Sequence, residues 1–385
     1  MLTLGYDKKV LNEKGAFYTA SEIASQPSLW LKVYSKLLEG SSSLKKFMQL
    51  ALAEADKIVL TGAGTSAFIG LSLYGVFSRK LGKNTLAIAT TDLVTHPKDY
   101  FFDRETVLLI SFARSGNSPE STAAVELADK LCKKCYHLII TCNAEGYLAL
   151  LTSPSPKYIL VLPPESNDQS LAMTGSYSGM LLSGLLAAHL QKIEKLEDNI
   201  RLLCQYGTRI LNTYAPILQN ISEKAFTRAV FLGSGPFYGT ATESSLKLQE
   251  LTDGRIICKN DTFLGLRHGP KAVVDENTLL LFIFSGNPYV LRYEKDLVTS
   301  MRKGKKPLFT IGLSERGVDG CTFDLPIQLS GKSKKMEDEF LTICSILPGQ
   351  LLGFYKSLSL GLKPDSPSVS GAISRVVEDV RIYQY

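Results

Sequence analysis

Short apolar runs alternate with longer amphipathic stretches through most of the chain. The runs at residues 57–61, 106–112 and 136–141 are almost continuously hydrophobic, and segments with helical spacing of apolar residues lie between them. A continuously apolar strand is typical of a parallel sheet that helices cover on both faces. The pattern therefore predicts the doubly wound α/β class, with further strands at residues 86–90 and 158–162.

The N-terminal segment has a different pattern. Residues 1–56 predict helices, in which apolar residues such as Trp30 and Val33 recur at helical spacing. The serines at positions 41–43 predict a break before a second helix at residues 44–56. We interpret this segment as a packing extension with Trp30 in the core.

The strand–turn–helix order occurs twice along the chain. The turn at Gly62 recurs at Gly233, and the turn at Gly116 recurs at Gly286, with offsets of 171 (233 − 62) and 170 (286 − 116). Landmarks in the same order at a nearly constant offset indicate two copies of one α/β unit. We place the hinge between the copies at residues 211–227.

These patterns predict four parts. Residues 1–50 form the helical extension, residues 51–215 the first α/β copy and residues 216–362 the second copy, which ends in a long helix at 336–360. Residues 363–385 are rich in Pro, Ser and Gly and predict an extended strap over the surface.

Composition excludes several classes of function. The net charge is only +6, and no segment concentrates Lys and Arg as a nucleic-acid-binding arm would. The N-terminus lacks the apolar core of a signal peptide, and the apolar run at 180–190 is too short to cross a bilayer. We therefore expect a cytoplasmic protein with no membrane or nucleic-acid partner. Cys132 and Cys135 form a lone CxxC without the further ligands of a zinc site, so buried structural thiols are the expectation and no metal is predicted.

The first glycine turn has the form GxGxxA and lies between a strand and a helix. Its Gly64, Thr65 and Ser66 place backbone N–H groups and hydroxyls at a helix N-terminus, which attracts an anion. A nicotinamide enzyme would carry an acidic residue about 20 positions further on. Residues 82–90 contain none, so a nucleotide cofactor is disfavoured.

The second loop resembles the first in its hydroxyl content. Arg114, Ser115, Gly116, Asn117 and Ser118 follow the strand at 106–112, and a helix follows them. Loops at the carboxyl ends of parallel strands line the ligand crevice of an open sheet. The serines and threonines of both loops serve either as helix caps or as ligands of a phosphate monoester.

The second copy carries proton-transfer groups that the first copy lacks. Lys247 and Glu250 lie three residues apart on a predicted helix, where an ion pair is most often a solvated surface feature. Their counterparts in the first copy are Val76 (247 − 171) and Arg79 (250 − 171). His268, which can titrate near neutral pH, follows in the sequence Arg-His-Gly-Pro. We expect the first copy to hold a phosphate and the second copy to supply acid and base.

These residues resemble the sugar isomerase (SIS) domain family, whose members carry a flavodoxin-like α/β unit, often twice, and bind phosphosugars. The second copy is similar to the isomerase half of glucosamine-6-phosphate synthase, whose ALKLKE and KHGP motifs correspond to residues 245–250 and 267–270. The resemblance implies that Glu250 moves a proton between carbons 1 and 2 of the open-chain sugar. It implies that His268 assists ring opening, from its own or a neighbouring subunit, and that Lys247 positions or neutralises substrate oxygens.

The resemblance implies substrate contacts as well. They come from Gly64, Thr65, Ser66, Arg114, Ser115, Gly116, Asn117, Ser118, Ala172, Thr174 and Arg375. Arg114 replaces a glutamine of the synthase, and Arg375 is the nearest match to a lysine that the synthase places in its site. An arginine stays protonated and cannot act as a base.

A narrower resemblance, carried by residues 263–270 and 370–377, is to the galactosamine-6-phosphate deaminase/isomerase group, also labelled tagatose-6-phosphate ketose/aldose isomerase. Position 2 is Leu and there is no room for a glutaminase domain, which excludes glutamine-dependent synthesis. The group implies a homo-oligomeric deaminase that converts galactosamine 6-phosphate to tagatose 6-phosphate without cofactor or metal. A simple aldose–ketose isomerase and a non-catalytic phosphosugar sensor are the alternatives.

Overall fold

The computed structural model describes residues 2–331, 336–376 and 380–385. Its strands are β1 Lys57–Thr61, β2 Asn84–Ala87, β3 Thr106–Ala113, β4 Lys134–Thr141, β5 Lys157–Val161, β6 Arg228–Gly233, β7 Ile257–Asp261, β8 Thr278–Ile283, β9 Phe309–Ser314 and β10 Leu325–Gln328. Its α-helices are α1 Lys8–Glu13, α2 Phe17–Glu54, α3 Thr65–Leu81, α4 Thr90–Thr95, α5 Pro119–Leu131, α6 Tyr147–Leu150, α7 Gly175–Ala188, α8 Glu197–Arg209, α9 Ala215–Ser222, α10 Phe237–Leu251, α11 Phe263–Leu266, α12 Pro288–Met301, α13 Asp338–Ser345 and α14 Leu347–Ser359.

The strands form two parallel five-stranded sheets of the same topology. The first has the order β2-β1-β3-β4-β5, and the second, read in the same direction, has the order β7-β6-β8-β9-β10. This 2-1-3-4-5 order is that of flavodoxin-like folds, and its ligand crevice lies where the order reverses, beside the first and third strands. The predicted fold class and the internal repeat are confirmed.

The chain divides into two compact units, which we name by their strands. The β1–β5 unit contains Ser28–Asp168, Gly175–Ile200 and Ile373–Tyr385. The β6–β10 unit contains Met1–Pro27, Gln169–Thr174 and Arg201–Ala372. Each sheet supplies the core of its unit, and every residue of β3 and of β8 is buried.

The N-terminal helix corrects one prediction. The helix α2 runs without interruption from Phe17 to Glu54, so the break predicted at residues 41–43 is wrong. Leu37, Leu44 and Met48 lie on one stripe of this helix and are buried. Their burial outweighs the helix propensity of the serines, which is lower than that of Ala by at most about 0.7 kcal/mol per residue.

Other boundaries differ because of local breaks. The helix predicted at 336–360 is divided between α13 and α14, where Pro348 lies in the first turn of α14 and cannot continue the previous helix. The strand predicted at 86–90 ends at Ala87. The predicted hinge at 211–227 contains the helix α9, with Pro216 in its first turn. In the part of the chain that the structure describes, no helix is both long enough and apolar enough to cross a membrane.

Candidate active site

Three charged side chains of the helix α10, in the β6–β10 unit, lie close together. The ammonium of Lys247 lies 2.5 Å from a carboxylate oxygen of Glu250 and 3.3 Å from one of Glu243. Glu243 and Lys247 are fully buried, whereas the side chain of Glu250 is 23% exposed. The spacing of four and three residues along the helix brings all three groups to one face. The Lys247–Glu250 pair is therefore part of a buried triad with one solvent-facing carboxylate, not a surface ion pair.

Burial and the neighbouring carboxylates act in opposite directions on the pKa of Lys247. Burial alone would lower the pKa of its ammonium, because it disfavours the charged form. The carboxylates of Glu243 and then Glu250 outweigh this effect and raise the pKa above its usual range. The side chain is therefore a permanent cation and not a nucleophilic amine.

Two glycines of α14 position the helix α10. A Cβ atom at Gly349 would lie 2.6 Å from the Cβ atom of Ser244, and one at Gly353 would lie 2.8 Å from a methyl group of Leu251. These approaches exclude a larger residue at either position. The two helices therefore pack closely along the part of α10 that contains Lys247, whose backbone carbonyl would lie 3.1 Å from a Cβ atom at Gly353.

His268 lies in the turn that follows α11. Thr262 caps that helix by accepting a hydrogen bond from the backbone N–H of Gly265 at 2.9 Å. The chain then turns at Gly269, whose φ of +110° favours glycine. The imidazole of His268 is exposed, and within residues 2–331, 336–376 and 380–385 it forms no hydrogen bond or ion pair.

The first glycine turn lies in the β1–β5 unit. Gly64 has a φ of +54°, and the helix α3 begins at the next residue with Thr65 and Ser66, both buried. A Cβ atom at Gly62 would lie 2.6 Å from the Cβ of Ser66, so the helix starts in close contact with the strand end. The turn therefore places a helix N-terminus and two hydroxyls at the carboxyl end of β1, where an anion is favoured.

The second loop leaves the neighbouring strand at the same edge of the sheet, since β1 and β3 pair in parallel up to Thr61 and Ser111. The hydroxyl of Ser115 accepts a hydrogen bond from the backbone N–H of Asn117 at 3.3 Å. Ser118 shares a hydrogen bond of 3.0 Å with Ser121.

Two asparagines fix this loop. The side-chain oxygen of Asn117 accepts from the backbone N–H of Tyr147 at 3.1 Å, and Asn143 donates to the carbonyl of Ser115 at 3.0 Å. Gly116 has a φ of +68°. Asn117 therefore has a structural role, whereas the hydroxyls of Ser115 and Ser118 can still turn toward a ligand.

Arg114 and Arg375 are linked within the β1–β5 unit. The buried guanidinium of Arg114 donates to the backbone carbonyl of Arg375. The guanidinium of Arg375 donates in turn to the carbonyl of Asp168 at 2.9 Å and to the side-chain oxygen of Asn167 at 3.0 Å. The C-terminal segment is thus attached to the loop that follows β3.

Ala172 and Thr174 belong to the β6–β10 unit and are buried. The carbonyl of Ala172 accepts from the hydroxyl of Ser170 at 3.1 Å, and that of Thr174 accepts from Gln350 at 3.3 Å. Their substrate contacts stay a prediction.

Sequence reasoning missed Glu243 and Asn143. Glu243 lies four residues before Lys247, a spacing that would have indicated a second partner for the lysine. Nothing in the sequence distinguishes Asn143, because its contact with the loop at Ser115 depends on the pairing of β3 with β4.

One buried cluster contains residue types that bind metals. Oxygen, sulfur and nitrogen atoms of Asp129, Cys135 and His137 lie within 4.8 Å of one another. Asp129 already accepts hydrogen bonds from His137 at 2.7 Å and from the hydroxyls of Ser153 and Ser155 at 2.6 Å. Burial alone would raise the pKa of Asp129, but these hydrogen bonds lower it. We assign the cluster as a structural hydrogen-bond network.

Comparisons with known proteins identify relatives over almost the whole chain. The SIS domain family matches residues 51–190. A protein of Shewanella sp. (strain ANA-3) named D-galactosamine-6-phosphate deaminase AgaS is 38% identical, covering 97% of this chain and 94% of that protein.

Two solved structures have the same architecture. One from Clostridium novyi NT, described provisionally as a tagatose-6-phosphate ketose/aldose isomerase, has a TM-score of 0.96 and 40% identity over 100% of both chains. The tagatose-6-phosphate ketose/aldose isomerase of Escherichia coli has a TM-score of 0.87 and 35% identity over 96% of both chains. The chain therefore belongs to the SIS domain family, in the group that includes the proteins named D-galactosamine-6-phosphate deaminase.

Proposed function

We propose that this chain is an amino-sugar phosphate deaminase that converts galactosamine 6-phosphate and water to tagatose 6-phosphate and ammonia. The observation that carries the proposal is the partly exposed carboxylate of Glu250, held 2.5 Å from the buried ammonium of Lys247. A carboxylate oriented by a fixed cation and open to solvent is suited to carry a proton to and from a bound sugar. The full-length relatives named as deaminases support the substrate class.

The reaction begins with the open-chain sugar, which has an aldehyde at carbon 1 and an amine at carbon 2. Glu250 removes the proton from carbon 2 while the aldehyde oxygen gains a proton, which gives an enolamine, and then returns its proton to carbon 1 while the amine nitrogen loses one. Carbon 2 is then an imine, to which water adds before ammonia leaves and the ketone remains. His268 assists ring opening by moving a proton between the ring oxygen and the hydroxyl at carbon 1.

The other named residues position the substrate. Lys247 holds the carboxylate of Glu250 in place through their ion pair, so it is a positioning residue. The hydroxyls of Thr65, Ser66, Ser115 and Ser118 and the N-terminus of α3 hold the phosphate. Arg114 adds a fixed positive charge to the same loop. Arg375 orders the loop at Asn167 and Asp168 through its hydrogen bonds.

A second candidate reaction uses the same residues. A simple aldose–ketose isomerase would move the proton between carbons 1 and 2 of a neutral hexose 6-phosphate and release no ammonia. The name of the Escherichia coli structure favours this candidate. The two reactions differ in one product, so one assay separates them.

The test is an ammonia-release assay with galactosamine 6-phosphate and glucosamine 6-phosphate. The wild type is expected to release ammonia with the galacto epimer. Isomerisation of galactose 6-phosphate without ammonia release from either amino sugar would reject the deaminase reaction and support the isomerase.

Glu250→Gln is expected to lower turnover by about 10²–10⁴-fold, the usual contribution of an acid–base group, while substrate still binds. Glu276→Gln makes the same chemical change at an exposed position of the same unit and is the matched control. Retained turnover in Glu250→Gln would reject Glu250 as the base.

We also propose a homo-oligomer in the cytoplasm. The exposed imidazole of His268 suits a role in a neighbouring subunit's site. The seven cysteines are free thiols, which suits a reducing compartment. A monomeric, active enzyme in analytical ultracentrifugation would reject the shared site.

A further inference from the structure

We propose that the second copy retains an anion pocket at the carboxyl end of β8, and that the carboxylate of Asp338 from the same chain fills it. The loop concerned is Ser285-Gly286-Asn287, which recurs 170 residues after Ser115-Gly116-Asn117 (285 − 115). The inference concerns the copy that lacks a role in phosphate binding under the proposed function, and it goes beyond that function.

The contacts of Asp338 are those expected of a bound anion. One carboxylate oxygen accepts from the hydroxyl of Ser285, and the other accepts from the backbone N–H of Gly286 at 2.8 Å. These partners lie 53 and 52 residues away along the chain. A hydroxyl and a backbone N–H that converge on one negatively charged group form the same kind of site as a phosphate-binding turn.

The two turns share one contact. In the first copy the backbone N–H of Asn117 donates to the hydroxyl of Ser115 at 3.3 Å, and in the second that of Asn287 donates to Ser285 at 3.0 Å. The asparagine oxygens have different partners: Asn117 accepts from the backbone N–H of Tyr147, 30 residues further on, whereas Asn287 caps α12 by accepting from that of Tyr289, two residues further on. The shared contact between serine and asparagine supports the comparison of the two turns as anion sites.

A second carboxyl group completes the second pocket. Glu294 is buried and accepts from the backbone N–H of Ser285 at 2.9 Å. With the same offset of 170, the counterpart of Glu294 in the first copy is Ala124 of α5 (294 − 170), which has no carboxyl group. Burial first, and then the charge of Asp338, raise the pKa of Glu294 to about 8. The pocket therefore holds a second, buried carboxyl group beside the donors that bind Asp338.

The filled pocket has a consequence for stoichiometry. With Asp338 in place, the second copy offers no free donor pair to a phosphate at Ser285 and Gly286, and a phosphosugar is directed to the first copy. Asp338 is the first residue of α13 and is only half-buried, so its removal would open the pocket to solvent.

The test counts inorganic phosphate bound by the full-length protein. Isothermal titration of Asp338→Ala is expected to show one more phosphate per chain than the wild type, and Asp338→Ala/Ser285→Ala is expected to lose it. Asp338→Asn is the matched control, because its amide still fills the pocket and should add no phosphate. A crystal structure of Asp338→Ala with phosphate should place the ion beside Ser285 and Gly286.

Folding of the variant is part of the test. If Asp338→Ala is unstable, phosphate in the buffer must raise its melting temperature by more than it raises that of the wild type, at ionic strength matched with chloride. An unchanged phosphate count, or an equal shift of both melting temperatures, would overturn the proposal. A wild type that binds no phosphate would contradict the proposed function and not this inference.

Discussion

Replacing Lys247 by methionine would test the buried triad of α10 most directly. The substitution keeps the length and apolar stem of the side chain and removes its charge. Glu250 can be rehydrated because its side chain is 23% exposed, but Glu243 has no exposed surface. The loss of stability therefore arises mainly from the buried charge of Glu243.

The magnitude follows from the chemistry of Glu243. Removing one partner of a buried ion pair typically destabilises a protein by about 3–5 kcal/mol. A buried carboxylate that has lost the Lys247 ammonium can take up a proton instead, and protonating a group with a pKa of about 4.3 at pH 7 costs about 3.7 kcal/mol. We therefore expect Lys247→Met to lower the free energy of unfolding of the β6–β10 unit by about 3–4 kcal/mol at pH 7.

The loss should depend on pH with a defined sign. In the variant the folded pKa of Glu243 lies above its unfolded value, so its neutral form is compatible with folding at low pH and folding is penalised as pH rises. At about pH 5 the same protonation costs only about 1 kcal/mol. The double variant Lys247→Met/Glu243→Gln should recover most of the stability at both pH values.

The measurement is hydrogen–deuterium exchange of the peptide that covers α10, which reports the local opening free energy. The fluorescence of Trp30, which lies in the β1–β5 unit, reports on the other unit and should change little. Lys259→Met is the matched control, because the partly exposed pair of Lys259 with Asp261 at 3.5 Å should contribute less than about 1 kcal/mol. A loss below about 1 kcal/mol for Lys247→Met, or a loss independent of pH, would refute the reasoning.

Three further predictions concern packing and ionisation. Gly353→Ala should lower the melting temperature in circular dichroism, with a cost of about 1–3 kcal/mol, because its Cβ would lie 2.8 Å from Leu251. Gly75 is also helical, but a Cβ atom there would have space, so Gly75→Ala should raise the melting temperature by the equivalent of at most about 1 kcal/mol. A change of the same sign in both glycine variants would contradict the packing argument. Asp129→Asn should destabilise the β1–β5 unit at neutral pH, measured by Trp30 fluorescence in urea. Because the pKa of Asp129 is lowered, the difference in unfolding free energy between variant and wild type should vanish as pH falls from about 3.9 through the pKa of Asp129 in the folded protein. A difference that stays constant with pH would show that the ionised form of Asp129 does not stabilise the unit. The pKa of Glu294 is raised to about 8, so urea denaturation should show the wild type losing stability relative to Glu294→Gln as pH rises from about 4.3 to 8. Parallel plots of unfolding free energy against pH for the two proteins would contradict the raised pKa.

Part of the candidate site was predictable from local spacing. Lys247 and Glu250 share a helix face because three residues are almost one turn, and the two glycine turns follow their strands directly. The partners that hold these residues were not predictable in the same way. Asn143 reaches Ser115 only because β3 and β4 pair in register.

The sequence by itself determined the α/β class and the duplication of its unit, because continuous apolar runs are stable only inside a sheet covered on both faces. It also determined that the pair of Lys247 and Glu250 has no counterpart in the first copy, which carries Val76 and Arg79 at the corresponding positions. Tertiary structure decided which charged groups are buried. The glycines Gly349 and Gly353 let α14 pack closely against α10, although the contacting residues lie about a hundred positions apart along the chain. Tertiary structure likewise brought Asp338 to Ser285, since a contact between residues 53 positions apart depends on how the helices pack on the sheet and not on any local pattern.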